Sequence, residues 1–328
     1  MSGDIIQDSV LLVGCGAMAQ AYARVLTDLG VQYHVVGRSH ESADAFHREI
    51  GVTPLKGGVQ AALASLDSTP WAALVAVDIP NLAEVTQILV AHGIRRILLE
   101  KPGGITPHEV EKLALCCSKA RADVYVAYNR RCYESIRQAS KIISDDGGAI
   151  SLKCDFTELG GQVDRLVSSE EIKHNWFYAN STHVVDLAFH LAGAPIEMTG
   201  SVMGGLSWHP AGAVFVGSGR TERGALFSYH ANWSAPGRWL VEVMTAHHRL
   251  ILQPLEELHV QRHGAMAIEQ VALDNDWDSH FKPGVHQQVT AFLSPNAGDV
   301  LLPLDEHVKH HVWYKEILNP SNKPRVRV

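Results

Sequence analysis

The chain has 328 residues, 46% of them hydrophobic and 19% charged, with a net charge of -7. That length suits two globular domains with cores of their own. The acidic balance excludes a general nucleic-acid binder, and no apolar run of about eighteen residues is present to span a bilayer. The start, Met1 to Ser9, is polar and lacks the basic lead of a secretory signal. Five cysteines, an odd number with no C-x-x-C, predict neither a disulfide framework nor a zinc site, and a reducing cytoplasm is the expected setting. No H-E-x-x-H pair appears, and no metal is expected.

The first 128 residues alternate strand and helix signals. Val10 to Val13 is a short apolar run stopped by Gly14, and helical spacing follows from Ala17 to Leu29. Gln32 to Val36 reads as a strand, and Ser39 caps a helix that stops at Gly51. Ala72 to Val77 is another buried strand. Asn81 with Glu84 resembles a capping box for a helix ending at Gly93. Ile97 to Leu99 is a strand, Thr106-Pro107-His108-Glu109 opens the next helix, and Val124 to Tyr128 closes the series. Wholly apolar strands alternating with helices predict a doubly wound parallel sheet.

After residue 149 the pattern changes. A helix is expected from Cys132 to Ser144. Strand signals then recur at 150–156, 198–203, 213–218, 224–233 and 239–245, separated by turns such as Gly204-Gly205 and Pro236-Gly237. This predicts an α+β domain with a largely antiparallel, open-faced sheet over 129–328. The polar 160–180 stretch reads as a loop or short helix. Val285 to Leu293 and Glu306 to Leu318 read as helices, and the tail from Asn319 to Val328 as frayed. On one strand, alternation puts Tyr229, Ala231 and Trp233 on a common face, expected to be an oligomer interface.

Gly14-Cys15-Gly16-Ala17-Met18-Ala19 reads G-x-G-x-x-A between a strand and a helix. The first glycine permits a tight turn, the second lets backbone approach a pyrophosphate, and the small sixth residue keeps helix and sheet close. The helix N-terminus, at Ala17 and Met18, offers N–H groups to phosphate. The second strand ends in Arg38-Ser39, where NAD sites usually carry an acid. A guanidinium there suits a 2′-phosphate, so NADP is favoured over NAD.

Leu98-Leu99-Glu100-Lys101-Pro102 ends a buried strand, the position at which ligands meet such sheets. With the glycine loop and a later His183-x-x-Asp186, this E-K-P segment resembles the Gfo/Idh/MocA oxidoreductases. That family includes glucose–fructose oxidoreductase, inositol dehydrogenase and sugar-nucleotide dehydrogenases. The resemblance implies a Rossmann domain over 1–128 and a substrate and oligomerisation domain over 129–328. It implies hydride transfer between the nicotinamide cofactor and a secondary alcohol or ketone of a sugar, polyol or sugar nucleotide. It assigns Lys101 to proton transfer, in keeping with an amine partly desolvated beside a cationic ring. Glu100 is expected to orient the lysine or meet the nicotinamide ribose. Asp78 and Pro80 form a loop against the cofactor, although Asp78 departs from the family's usual Thr. Asn129 approaches the nicotinamide and Arg131 the substrate.

The segment Trp176 to Asp186 supplies the remaining candidates. His183 is implied to face the substrate, with Asp186 three residues on. Ala179 stands where the family commonly has an Asp, which leaves Asn180 and Thr182 as hydroxyl binders and Trp176 as a stacking surface. His190 is read as packing. A homodimer or homotetramer through the second-domain sheet is expected. Two other readings fit the same fold: a non-catalytic dinucleotide-sensing regulator, or a lyase or glycosidase using bound NAD transiently. Lys101 and His183 favour the enzyme.

Overall fold

A computed structural model describes residues 9–167 and 169–321. Met1 to Asp8 and the tail from Asn322 lie outside the described residues, as does part of what the sequence says of each terminus. In chain order the elements begin with β1 (Val10–Val13), α1 (Ala17–Asp28), β2 (Tyr33–Gly37), α2 (His40–Ile50), β3 (Leu55–Lys56) and α3 (Gly58–Ser65). They continue with β4 (Ala72–Val75), α4 (Leu82–Ala91), β5 (Arg96–Glu100), α5 (Pro107–Lys119) and β6 (Asp123–Ala127). Next come α6 (Glu134–Asp145), β7 (Ser151–Asp155), α7 (Gly160–Leu166), α8 (Glu170–His174), α9 (Thr182–Ala192), β8 (Pro195–Met203), β9 (Val214–Thr221) and β10 (Leu226–Asn232). The last are β11 (Leu240–Met244), β12 (His248–Leu252), β13 (His259–Arg262), β14 (Glu269–Gln270), α10 (Asp276–His280), α11 (Val285–Leu293), β15 (Leu302–Pro303) and α12 (Leu304–Leu318).

Two compact units emerge: residues up to Asn129 together with Trp277–Val308, and Arg130–Asp276 together with the chain from Lys309. The first holds a seven-stranded sheet in the order β15-β6-β5-β4-β1-β2-β3. Its strands are parallel except β15, which pairs antiparallel with β6. From β3 to β6 this is the doubly wound order, in which the direction of winding reverses between β1 and β4. β1 and β4 are buried on both faces, which is why their residues are all apolar. Helix ends follow local chemistry. Ser39 caps α2 by accepting from the Ser42 N–H at 3.2 Å, and Gly51 ends that helix in the left-handed region at φ 82°. Thr106 and Glu109 form a complete capping box on α5.

Several expectations are corrected. Asn81 does not cap α4, because it lies in a 3-10 turn (Ile79–Asn81) with helical φ/ψ, whereas a capping side chain needs an extended residue. The short elements β3, α3, β12 to β15 and α10 carry too little periodicity to have been read. The 160–180 stretch agrees with the short-helix reading, as α7, α8 and the start of a π turn (Phe177–Ser181).

The second unit holds an eight-stranded sheet, β14-β13-β12-β11-β7-β10-β9-β8, antiparallel except where β7 lies parallel to β10. Tyr229, Ala231 and Trp233 are core residues here, at most 4% exposed, and not an outer surface. Tyr229 and Trp233 join Phe156 and Phe215 in one apolar cluster. Gly200 and Gly217 leave the room that the Tyr229 ring fills, since a Cβ on either would lie within 2.3 Å of it. The opposite face is polar, with ion pairs from Lys153 to Glu242 at 3.1 Å and Arg249 to Glu242 at 2.8 Å, and a hydrogen bond between His230 and Asp155 at 2.8 Å. Among the described residues no helix is long and apolar enough to cross a membrane, and no group of three His, Cys, Asp or Glu is placed to hold a metal ion.

Candidate functional site

The first unit carries a cavity of about 460 Å³ at the carboxyl ends of β1, β2 and β4. Gly14, Gly16, Arg38, Ser39 and Asp78 line it. Gly14 has φ +127°, and a Cβ there would lie 2.1 Å from the Ala76 carbonyl oxygen, so only glycine lets β1 turn this close to β4. Gly16 differs. Its added Cβ meets nothing within 4 Å, because it faces the open groove. It occupies the N-cap position of α1 with no side-chain cap, leaving the first turn, with Ala17 and Met18, able to offer N–H groups. A glycine-walled groove beneath an uncapped helix end fits a dinucleotide pyrophosphate.

Arg38 and Ser39 follow β2 at the rim of this cavity, both exposed. Among the described residues no carboxylate pairs with Arg38. Asp78 is exposed and accepts the Asn81 backbone N–H through its own carbonyl at 2.8 Å, and Pro80 lies in the same turn. Cys15 also lines the groove, and burial pushes its thiol up to about 11, which keeps it a neutral packing group.

Lys101 follows β5 and is half-buried, and its peptide bond to Pro102 is cis. The Pro102 carbonyl lies 3.2 Å from Nε2 of His307, a buried residue of α12. Glu100 is enclosed. Burial pushes its carboxyl up, against the Tyr22 hydroxyl, the charges of Lys101 and Lys282 and the Lys101 amide, which favour the anion. Asn129 is buried, and its amide donates to the Pro283 carbonyl at 3.0 Å, tying the end of β6 to the segment before α11.

The second unit carries a separate cavity of about 550 Å³ lined by Arg130, Glu158, Trp176, Asn180, Arg238 and Trp239 among others. The Arg130 guanidinium lies 4.7 Å above the Trp239 ring. Glu158, which the sequence did not single out, is buried and accepts from Asn180 Nδ2 at 3.1 and 3.2 Å and from Ser181 Oγ at 2.7 Å. The π turn before α9 is what places these two donors side by side. His183, in the first turn of α9 and 4% exposed, has its ring 6.3 Å from that of Trp239. Trp176 and Asn180 thus line the cavity, and His183 lies beside one of its walls.

Three other candidates meet groups of the protein itself. Thr182 donates to the Tyr178 carbonyl at 2.9 Å. Arg131 pairs bidentately with Asp186, at 2.7 and 2.6 Å, and His310 Nδ1 lies 3.5 Å from the same carboxylate. Burial alone would raise the Asp186 pKa. The Arg131 charge and its two hydrogen bonds, with the His310 ring beside the carboxylate, outweigh it and hold the carboxyl well below the usual carboxylate range. Burial, with the Arg131 charge, lowers His190 to about 4, so this imidazole stays neutral as a packing group. The residues missed in sequence, Glu158, Arg238 and Trp239, fall in turns and at a strand edge with no recognisable spacing.

Comparison with known proteins places this geometry. Residues 9–128 match the model of the Gfo/Idh/MocA oxidoreductase family, described as having an NAD-binding Rossmann fold. No curated protein matches the chain in sequence. Solved structures share its fold along nearly the whole length. An oxidoreductase from Agrobacterium radiobacter, in complex with NAD+, L-tartaric acid and magnesium, is 14% identical with a TM-score of 0.77, over 95% of this chain and 97% of that one. The UDP-N-acetylglucosamine 3-dehydrogenase of Acidithiobacillus ferrooxidans is 13% identical with a TM-score of 0.73, over 94% and 96%. The WlbA dehydrogenase of Bordetella pertussis, in complex with NADH and UDP-GlcNAcA, is 14% identical with a TM-score of 0.71, over 95% and 94%. In its glycine loop and strand order, the stretch 9–128 is thus similar to the NAD-binding Rossmann domain of the Gfo/Idh/MocA oxidoreductases.

Proposed function

We propose that the protein transfers a hydride between NADP(H) and a secondary alcohol or ketone of a sugar, polyol or sugar nucleotide, with Lys101 exchanging the proton. In this reading the first unit binds cofactor and the second supplies the substrate pocket. The observation that carries it is the conjunction, in one unit, of a groove whose first turn only Gly14 can make with a half-buried lysine at the crest of β5. When bound, the cofactor supplies the hydride acceptor or donor. In the oxidative direction Lys101, as the amine, takes the hydroxyl proton while the carbon loses its hydride; in the reductive direction the ammonium returns it. Glu100 holds a hydroxyl of the nicotinamide ribose as an acceptor. His183 is proposed to hydrogen-bond the substrate.

NADP is favoured by Arg38 and Ser39 at the groove's rim, where an acid would select NAD. The polyhydroxylated substrate class is supported by the second cavity, whose indole faces, Asn180 amide and Glu158 carboxylate suit a sugar ring. The sugar-nucleotide ligands named for two fold neighbours point the same way. Arg131 and Asp186 serve by holding the start of α6 and α9 together. The test replaces Lys101 with Met and follows nicotinamide absorbance over a panel of polyols, sugars and sugar nucleotides. Turnover is expected to fall by at least about 10³-fold, in the range of lost acid–base catalysis, with NADPH affinity unchanged within about twofold. Full turnover in that variant would overturn the role of Lys101.

A further inference from the structure

The Glu100 carboxyl is held by a buried hydroxyl, itself in contact with a buried amide, and the proposed chemistry uses neither group. Tyr22, on α1 and 1% exposed, has its hydroxyl 2.6 Å from Glu100 Oε1. Gln288, on α11 and wholly buried, has Oε1 3.2 Å from the same hydroxyl. The Gln288 Nε2 is buried with no hydrogen-bond partner among the described residues. The charged groups acting on Glu100 are Lys101 beside it and Lys282 ahead of α11.

A phenol carries one proton and cannot donate along both contacts at once. If Tyr22 donates to Glu100, its oxygen faces the Gln288 oxygen with no hydrogen between them. Turning the amide by 180° removes that conflict, and the orphaned Nε2 then donates to the Tyr22 oxygen. The oxygen and nitrogen of a glutamine are assigned by such networks. The chain then runs from Gln288 through Tyr22 to an ionised Glu100. If Glu100 is protonated the chain reverses: the carboxyl donates to Tyr22, Tyr22 donates to Gln288 Oε1, and Nε2 stays buried and unsatisfied. A hydroxyl bond donated to a carboxylate is charge-assisted and stronger than its neutral counterpart, so the network favours the anion, and each bond polarises the next.

We propose that Gln288 and Tyr22 are positioning residues, forming a one-way hydrogen-bond relay that holds Glu100 ionised and fixed in orientation next to Lys101. The consequence for cofactor binding rests on the role given to Glu100 above; the relay itself does not. Tyr22→Phe removes one atom from a packed site and cuts the relay at its centre, and Gln288→Leu cuts it at its source. Infrared difference spectra of the cofactor-free protein across a pH series read the carbonyl band of a protonated carboxyl, identified by its loss in Glu100→Gln. The midpoint is expected to rise by about one pH unit or more in Tyr22→Phe, as the loss of one hydrogen bond to a charged group predicts. A smaller rise is expected in Gln288→Leu. An unmoved midpoint in both folded variants overturns the relay. NADPH fluorescence titration over the same pH range separates the two claims. A decline in affinity that begins about one unit higher in Tyr22→Phe supports both. A shifted midpoint with an unshifted affinity profile supports the relay and overturns the cofactor role of Glu100.

Discussion

Gly14 and Gly16 stand two residues apart in one loop and are glycine for opposite reasons. At Gly14 the backbone of β4 occupies the space of any side chain, and φ is positive; at Gly16 the space is open and φ is −78°. Gly14→Ala is therefore expected to destabilise the first unit by several kcal/mol, through strain and backbone collision. Gly16→Val should fold with a change within about 0.5 kcal/mol, yet lose dinucleotide binding because its side chain fills the groove. Urea unfolding and NADPH titration on the two variants check this. A stable Gly14→Ala protein, or a Gly16→Val protein that still binds, contradicts the assignment. Both roles were legible in sequence, since the motif encodes a local backbone path. Arg131 and Asp186 were less so. Each was singled out, but that they meet each other depends on α9 packing beside the chain that leads into α6.

At the scale of elements, that ion pair fastens the 3-10 turn (Asn129–Cys132) to α9, and both partners are nearly closed to solvent, at 10% and 1% side-chain exposure. Removing one partner of a buried pair leaves a charge uncompensated, so Asp186→Asn is expected to cost about 3–5 kcal/mol at neutral pH. The pH dependence has a definite sign. Asp186 has a lower pKa folded than unfolded, so its stabilisation is present above the ordinary Asp value of about 3.9 and is lost as pH falls toward the folded value. Acid unfolding of the wild type should steepen below about pH 4, and Asp186→Asn should flatten that limb. Identical slopes in the two proteins count against the pair. The cap at Thr106 could be read because its partner Glu109 is three residues away. The Asn81 and Glu84 pair had the same letters without the extended backbone that makes a cap.

At the scale of the whole molecule, each unit is completed by chain from beyond its main stretch, since Trp277–Val308 packs with the first unit and Lys309 onward with the second. A ligand that binds only folded protein stabilises it by mass action, by about 2.7 kcal/mol at a hundred times its Kd. Saturating NADP+ should thus raise the melting temperature of the wild type more than equimolar NAD+. Arg38→Asp should remove the NADP+ shift and spare or enlarge that of NAD+. Equal losses for both cofactors would mean that Arg38 does not read the 2′-phosphate.

Composition, periodicity and turn chemistry determined the strand–helix alternation of the first unit, the glycine loop and the placing of Lys101 after a buried strand. These depend on residues within a few positions of one another, where φ/ψ preference and side-chain period act directly. Tertiary structure alone decided that α11 returns Gln288 to Tyr22 and Glu100, that Glu158 gathers Asn180 and Ser181, and that Tyr229 and Trp233 face the core. Such contacts are set by which apolar surfaces bury each other across long stretches of chain, and no local spacing records that choice.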